Sequence, residues 1–219
     1  MRGELLGVLG GVGPAATVNF LDTLLAVTPA ERDQGHIPTI VYNDPTVPDR
    51  TDAIYWTDEV LDHLVANASA LDTMEVTHLV IASNLTHHWF DDIEAVVDAD
   101  MLHMIALACE ELGTADIETV GLLTTSTARD VELYEPYLGD ITPVYPDSMG
   151  DMMDAIYQFK AGNEREAEAR MHGVAHEIVG EVDALVLGCT EFSAMDWDVS
   201  CPVIDPVEVT ARKCVELLY

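Results

Sequence analysis

The 219-residue chain contains few basic residues: nine Lys and Arg stand against 40 Asp and Glu, giving a formal net charge of −31. Phosphate groups would be repelled by such a chain, which excludes a nucleic-acid-binding protein. The same repulsion argues against attachment to an anionic membrane surface. Long apolar runs are also missing, because none approaches the roughly 18–20 residues that a membrane-spanning helix needs.

Cysteine is scarce too. The four cysteines, Cys109, Cys189, Cys201 and Cys214, show no C-x-x-C spacing, which argues against a disulfide scaffold or a zinc site. The N-terminal sequence MRGELLGVLGGVGP lacks the apolar region and cleavage site of a signal peptide and predicts a first strand instead. We therefore expect a reduced, cytoplasmic protein.

The composition that is present is acidic, poor in lysine and 49% apolar. This combination is typical of a halophile-like protein adapted to high salt, where screening reduces the self-repulsion of the chain. The alternative is an acidic protein of an ordinary cytoplasm.

Short runs rich in Val, Ile and Leu alternate with helical patterns along the whole chain. The strands are predicted at 4–9, 37–42, 78–82, 101–104, 119–124, 141–145, 184–188 and 202–204. The helices are predicted at 14–27, 52–74, 90–98, 105–114, 128–138, 148–161, 164–180 and 206–218. Apolar strands that are buried on both faces and separated by helices indicate parallel sheets in an α/β fold.

The order of these segments repeats. GVLGGVGP at 7–14 resembles GLLTTST at 121–127, and HLVIASNLTHH at 78–88 resembles ALVLGCTEFSA at 184–194. The repeat predicts two similar, pseudo-symmetric α/β domains, unless it reflects only the general texture of α/β sequences. The first domain would comprise 1–104 with the amphipathic C-terminal helix 206–219, and the second 105–205. Ligands of parallel sheets bind beyond the carboxyl ends of the strands, so the cleft between the domains is the expected active site.

A glycine-rich turn follows the first predicted strand. Gly10, Gly11 and Gly13 precede Pro14, a residue suited to the first position of a helix. The glycines permit a tight turn and a close approach of backbone to an anion. The pattern is not G-x-G-x-x-G and no P-loop lysine follows, so nucleotide binding is only weakly supported.

Cys189 lies in VLGCTEF, directly after a buried strand and at a predicted helix start. Backbone N–H groups and the helix dipole would stabilise a thiolate there and lower the pKa of the thiol from its ordinary value of about 8.5. The alternative is a small core residue, although the polar neighbours Thr190 and Glu191 need partners or a ligand. The other three cysteines are predicted to pack in the core or at its edge.

Ser83 occupies the matching position of the first half, in VIASNLTHHWF. With Asn84 and Thr86 it offers hydrogen-bonding groups at a helix start, or simply caps that helix. His87 and His88 are adjacent, which is poor spacing for two ligands of one metal ion, so no metal site is predicted.

Two of the rare basic residues are candidates for the cleft. Arg50 lies in the proline-rich segment YNDPTVPDRT, and Lys160 lies late in a helix, where the dipole alone would explain it. Together they would bind a carboxylate, with Arg in bidentate geometry.

Seven segments together resemble the aspartate/glutamate racemase family, a cofactor-independent group within the Asp/Glu/hydantoin racemases. They cover almost the whole chain in order: GGVGPAAT (10–17), TPAERDQGHIP (28–38), YNDPTVPDRT (42–51), SNLTHHWFDDI (83–93), VGLLTTST (120–127), AIYQFKAG (155–162) and VLGCTEF (186–192).

The resemblance implies two similar α/β domains with the active site between them and one catalytic cysteine from each. One thiolate removes the α-proton of an amino acid, and the other thiol returns a proton on the opposite face. No cofactor is implied, neither pyridoxal phosphate nor a metal ion, and a homodimer is expected. Cys189 matches the family's second cysteine, Arg50 its carboxylate-binding arginine, Lys160 its helix lysine and Asn84 the asparagine beside its first cysteine.

The chain departs from the family pattern at the first cysteine, where Ser83 stands. A hydroxyl is far less acidic than a thiol, and the only adjacent candidate bases are His87 and His88. Leu85 also replaces a threonine, although Thr86 follows it. Three outcomes stay open: a racemase with unlike bases, a decarboxylase that needs one thiol, and a protein that binds an acidic amino acid without turnover.

We therefore predict a racemase that acts on aspartate or glutamate, with Cys189 as principal acid/base and Ser83 opposite it. The residues expected to bind this small-molecule substrate are Arg50 and Lys160 at the distal carboxylate, Asn84, Thr125 and Thr190 at the α-carboxylate, and Leu85 and Thr86 nearby. Because the negative field of the chain opposes an anionic substrate, binding is expected to tolerate or improve with salt.

Overall fold

The computed structural model describes residues 3–50, 57–114 and 116–219. Within these ranges, eight strands form two four-stranded sheets in which every pairing is parallel. The strands of the first sheet are β1 (Leu6–Gly10), β2 (Thr39–Asn43), β3 (His78–Ile81) and β4 (Asp100–Leu102). Those of the second sheet are β5 (Thr119–Leu123), β6 (Thr142–Val144), β7 (Ala184–Leu187) and β8 (Val203–Ile204). The predicted α/β class with two similar, mainly parallel sheets is confirmed.

Helices flank both sheets. Those from the first half of the chain are α1 (Pro14–Val27), α2 (Asp58–Asp72), α3 (Phe90–Glu94) and α4 (Met104–Leu112). Those from the second half are α5 (Ser126–Asp130), α6 (Glu135–Leu138), α7 (Met149–Lys160), α8 (Glu164–Ile178) and α9 (Pro206–Leu218). No helix in the described ranges is long and apolar enough to cross a membrane.

The two sheets share one strand order, β2-β1-β3-β4 in the first and β6-β5-β7-β8 in the second. The repeated segments of the sequence thus occupy equivalent strands, β1 with β5 and β3 with β7. These four central strands are almost wholly buried, which explains their continuous apolar sequences. Ser83 and Cys189 follow β3 and β7 respectively, so they lie at corresponding carboxyl ends.

The C-terminal helix α9 returns to the first sheet. It packs on α1 and α4, and its buried residues Val207, Ala211 and Cys214 belong to the apolar cluster that contains Leu6 and Val8 of β1. Asp205 caps the helix by accepting the backbone N–H of Val207 at 2.9 Å, with Pro206 at the first helical position. Helix α4 contacts α9 on one side and α6 and β8 on the other, so it lies between the two halves.

Three predicted helices differ from the structure. The helix predicted at 128–138 is two short helices, α5 and α6, separated by a turn in which Glu132 has a φ of +52°. The helix predicted at 90–98 ends at Glu94, and the one expected to begin at Cys189 is only a short 3-10 helix, Phe192–Ala194. Residues 52–56 of the predicted helix 52–74 lie outside the described residues.

The glycine turn after β1 is packed against the loop that leads to Arg50. Gly11 has a φ of +84°, and a Cβ there would lie 2.2 Å from the backbone nitrogen of Asp44. Its own N–H donates to Thr17 Oγ1 at 2.9 Å, which ties the turn to α1. Only glycine combines this conformation with this contact.

Replacing Gly11 with alanine is expected to lower the free energy of unfolding far more than Gly162→Ala. Both glycines have a φ of +84°, but nothing lies within 4 Å of a Cβ at Gly162. Gly162→Ala therefore loses only the free energy that the backbone strain costs, about 1–2 kcal/mol. Gly11→Ala adds a collision with backbone, and we expect its free energy of unfolding to fall by about 4 kcal/mol or more. Urea unfolding measures both, and equal losses would contradict the close contact.

Candidate active site

A cavity lies between the carboxyl ends of the two sheets. Its volume is about 40 Å³, whereas one water needs about 10–15 Å³ by a comparable measure. It therefore has room for a few waters, and an amino acid would have to enlarge it. The lining residues are Val12, Arg50, Ser83, Asn84, Leu85, Thr125, Lys160, Gly188, Cys189, Thr190 and Glu191.

Eight of the nine residues predicted for the site line this cavity, and they come from both halves of the chain. Thr86 is the exception. Its side chain is buried beneath the cavity and its hydroxyl donates to Ser83 Oγ at 3.0 Å. Thr86 thus contacts Ser83 and is not part of the lining.

The Cys189 thiol donates a hydrogen bond to Glu191 Oε2 at 2.9 Å. Burial raises the pKa of the Cys189 thiol well above its ordinary value, and the Glu191 carboxylate raises it further, while Lys160 opposes both. The prediction of a lowered pKa is wrong for this structure. The physical reason is that the thiol is buried and faces a carboxylate, whereas the helix expected to stabilise a thiolate is a single short turn.

Glu191 was not among the predicted site residues. It is 7% exposed, and its second carboxylate oxygen, Oε1, lies 3.7 Å from Lys160 Nζ. The carboxylate therefore bridges the thiol and the lysine. The one signal in the sequence was the polar pair that follows Cys189 at the end of an apolar strand.

Arg50 is held by its own loop. Its Nη1 donates to the carbonyl oxygens of Pro48 at 2.6 Å and Val47 at 3.3 Å. Burial lowers the pKa of Arg50, while the charges of Asp49 and Glu191 act in the opposite direction. The guanidinium stays protonated in any case, because its ordinary pKa exceeds 12. The cavity thus carries a fixed positive charge on its first-half side.

Ser83 has no basic partner in His87. The Met104 N–H donates to His87 Nε2 at 3.1 Å, which leaves the hydrogen on Nδ1 to donate to the Ser83 carbonyl oxygen at 2.8 Å. Burial lowers the pKa of His87 to about 3. Both ring nitrogens are therefore engaged with backbone, and the imidazole cannot accept the Ser83 hydroxyl proton.

His88, the other candidate base, does not line the cavity. It lies in a separate surface depression beside Tyr137, and burial lowers its pKa. Across the described ranges, no three His, Cys, Asp or Glu side chains are grouped closely enough to hold a metal ion.

Asn84 presents an amide whose two ends differ. Its Oδ1 accepts the hydroxyl of Tyr134 at 2.9 Å, whereas its buried Nδ2 has no hydrogen-bond partner among the described residues. Thr125 caps α5 by accepting the Ala128 N–H at 3.1 Å. The cavity therefore contains polar groups suited to an anionic ligand.

Comparisons with known proteins agree with this architecture. The family model for Asp/Glu/Hydantoin racemase matches residues 9–214. The broad specificity amino-acid racemase RacX of Bacillus subtilis (strain 168) is 22% identical over 222 aligned positions, covering 96% of each chain.

Solved structures share the fold throughout. The aspartate racemase of Picrophilus torridus has a TM-score of 0.90 and 30% identity, over 99% of this chain and 94% of its own. An aspartate racemase homologue of Pyrococcus horikoshii OT3 has a TM-score of 0.80 and 23% identity, over 98% and 99% of the two chains, which shows the common fold. Because the family model spans nearly the whole sequence, the chain belongs to the Asp/Glu/hydantoin racemase family of isomerases.

Proposed function

We propose that this protein racemises an acidic amino acid, aspartate or glutamate, by removing and returning the α-proton, with Cys189 as the principal acid/base. The observation that carries the proposal is the Cys189–Glu191 contact in a cavity that also holds Arg50 and Lys160. The substrate class is supported by the family and by the names of the similar racemases.

The substrate's distal carboxylate is assigned to Arg50 and Lys160. Only nine basic residues occur in the chain, and two of them line this cavity. Arg50 supplies a rigid, planar donor group, and Lys160 supplies a more mobile charge. Glu191 places a negative charge near both cations, so an incoming carboxylate competes with it.

The α-carboxylate is assigned to donors at the strand ends. Asn84 Nδ2 and the hydroxyls of Thr125 and Thr190 would donate to its oxygens, which carry the charge that develops when the α-proton leaves. Fixed donors aimed at a developing oxyanion stabilise a transition state more than the ground state. Leu85 would contact the substrate through its apolar side chain and its backbone.

The chemical step starts with the transfer of the Cys189 thiol proton to Glu191. The resulting thiolate takes the α-proton, and the electron pair of the Cα–H bond moves into the α-carboxylate. Return of a proton from Cys189 restores the original enantiomer. Inversion requires delivery on the opposite face, which we assign to the Ser83 hydroxyl, and the neighbouring His87 is engaged with backbone and cannot serve as its base. Exchange on the Cys189 face is therefore expected to be faster than inversion.

Incubation with L- and D-aspartate and glutamate in deuterated water tests the proposal. We expect one enantiomer to lose its α-proton signal in NMR spectra faster than it inverts. Cys189→Ala is expected to reduce exchange by about 10²–10⁴-fold, the usual contribution of a positioned acid/base. Cys109→Ala, another buried cysteine outside the cavity, is the matched control and is expected to retain exchange. Exchange that survives in Cys189→Ala, or binding without exchange, would contradict the proposal.

Ser83→Cys is expected to raise racemisation by about 10²-fold or more, because it places a second ionisable group opposite Cys189. Chiral chromatography of the product measures inversion, and α-proton exchange on the Cys189 face serves as the internal reference. Ser83→Ala is the control, since it removes the hydroxyl without adding a thiol. No gain of inversion in Ser83→Cys would show that the two positions do not face one substrate carbon.

Glu191→Gln is expected to lower the pKa of the Cys189 thiol, because it removes the adjacent negative charge and leaves Lys160 in place. The pH dependence of alkylation by iodoacetamide, read at each cysteine by peptide mass spectrometry, measures the change. Glu135→Gln is the matched control. Burial raises the pKa of Cys109 to about 12, with a further contribution from the Glu135 charge. Removal of that charge should therefore lower the pKa of Cys109 and leave that of Cys189 unchanged. If the pH dependence of Cys189 alkylation is unchanged in Glu191→Gln, the Glu191 carboxylate does not raise the pKa of the Cys189 thiol.

A decarboxylase is the second candidate, favoured by one specific observation. The cavity has a thiol at Cys189 but only a hydroxyl at Ser83, whose neighbour His87 cannot accept its proton, and a decarboxylase needs only one proton donor. There, loss of carbon dioxide leaves a carbanion that the Cys189 thiol protonates. Release of carbon dioxide from a substituted malonate, without exchange of aspartate or glutamate, would establish this function in place of racemisation.

A further inference from the structure

The Asn84 side chain is almost completely buried, with 2% of its surface exposed, and it lines the cavity. Its Nδ2 has no hydrogen-bond partner among the described residues. A buried donor without a partner costs about 1–3 kcal/mol, and such groups in native proteins call for an explanation. A ligand anion in the cavity would provide the missing acceptor.

An amide can present either end to a ligand, and its neighbours decide which. Rotation of the Asn84 amide by half a turn would put Oδ1 where Nδ2 now lies. The amide would then present an oxygen to the carboxylate, which would repel it, in place of an N–H donor. The Tyr134 hydroxyl donates to Oδ1 at 2.9 Å. Burial raises the pKa of Tyr134 well above its ordinary value, so this hydroxyl keeps its proton.

Tyr134 comes from the other half of the chain and is 1% exposed. It lies directly before α6, at the break that replaces the single helix predicted from the sequence. Glu132, in the left-handed conformation, turns the chain there, and the Tyr134 backbone N–H donates to Glu135 Oε2 at 3.2 Å. The ring packs in an apolar cluster with Ile105 and Cys109, and its hydroxyl reaches Asn84, a residue that lines the cavity.

We infer that Tyr134 is a positioning residue for anion binding: it holds the Asn84 amide with Nδ2 toward the cavity, where a substrate carboxylate accepts its hydrogen. The inference deepens the proposed function and rests on it for the identity of the anion. The contact itself exists without any ligand, so it can be tested separately.

Tyr134→Phe removes the hydroxyl and keeps the ring. We expect the affinity for aspartate or glutamate to fall about tenfold, the effect of a hydrogen bond to a charged group that is lost or misdirected. Tyr145→Phe is the matched control. Its hydroxyl also donates to a side-chain oxygen, in this case the carboxylate oxygen Oε1 of Glu135 at 2.6 Å, but Tyr145 does not line the cavity. The control is expected to bind within twofold of the wild type, and urea unfolding verifies that both variants fold.

A double-mutant cycle separates positioning from general damage. If Tyr134 acts through the Asn84 amide, Tyr134→Phe has no further effect on affinity in an Asn84→Ala background. An equal tenfold loss in that background would overturn the inference, as would unchanged affinity in the single variant.

The NMR signal of the Asn84 side-chain amide reports on its hydrogen bond with Tyr134 in a sample to which no amino acid is added. It is assigned by its disappearance in Asn84→Ala, and it should shift in Tyr134→Phe and stay in place in Tyr145→Phe. An unchanged signal in Tyr134→Phe overturns the inference. If the wild-type signal shifts with Tyr134→Phe but neither acid binds the wild-type protein, the proposed substrate fails while the assigned contact stands.

Discussion

A buried thiol donates a hydrogen bond to a buried carboxylate at the end of β7, and the proposed chemistry of the cavity depends on that contact. The Glu191 carboxylate accepts from Cys189 with one oxygen and lies near Lys160 with the other, so a change at any of the three groups affects the others. Burial holds the thiol in its neutral form, because a thiolate beside a carboxylate in a poorly solvated site is unfavourable. The same carboxylate is the nearest acceptor for the thiol proton. In the proposed mechanism it therefore both disfavours the thiolate at rest and accepts the proton when a thiolate forms.

The fold is symmetric, but the chemistry at the two equivalent strand ends is not. Ser83 and Cys189 follow strands with the same place in identical sheet orders. Around Cys189 the neighbours are charged groups, whereas Ser83 is surrounded by the Thr86 hydroxyl and by an imidazole engaged with backbone. In the proposed function, these symmetric positions would give a substrate two unlike faces, one with an ionisable sulfur and one with a neutral hydroxyl.

Much of the architecture could be predicted from the sequence because its signals are local. The apolar runs of β1, β3, β5 and β7 are continuous since both faces of these strands are buried, and the predicted and observed bounds of these four differ by at most two residues. The helix break before Tyr134 could not be predicted, because Glu132 carries no glycine-like signal for its left-handed conformation. The raised pKa of Cys189 follows from its burial in the assembled structure and from the neighbouring Glu191 carboxylate, and the Tyr134–Asn84 bond joins residues 50 positions apart. Such contacts form only when the two sheets assemble, and no local pattern in the sequence predicts them.

The return of α9 to the first sheet has a mechanical consequence. The chain passes from one half to the other after α4 and passes back between β8 and α9, where Asp205 joins Ser193 Oγ at 2.7 Å to the N–H of Val207. Because the backbone crosses twice, the first sheet with α9 and the second sheet with its helices are linked covalently at two points, and the strand ends that line the cavity belong to one continuous backbone frame.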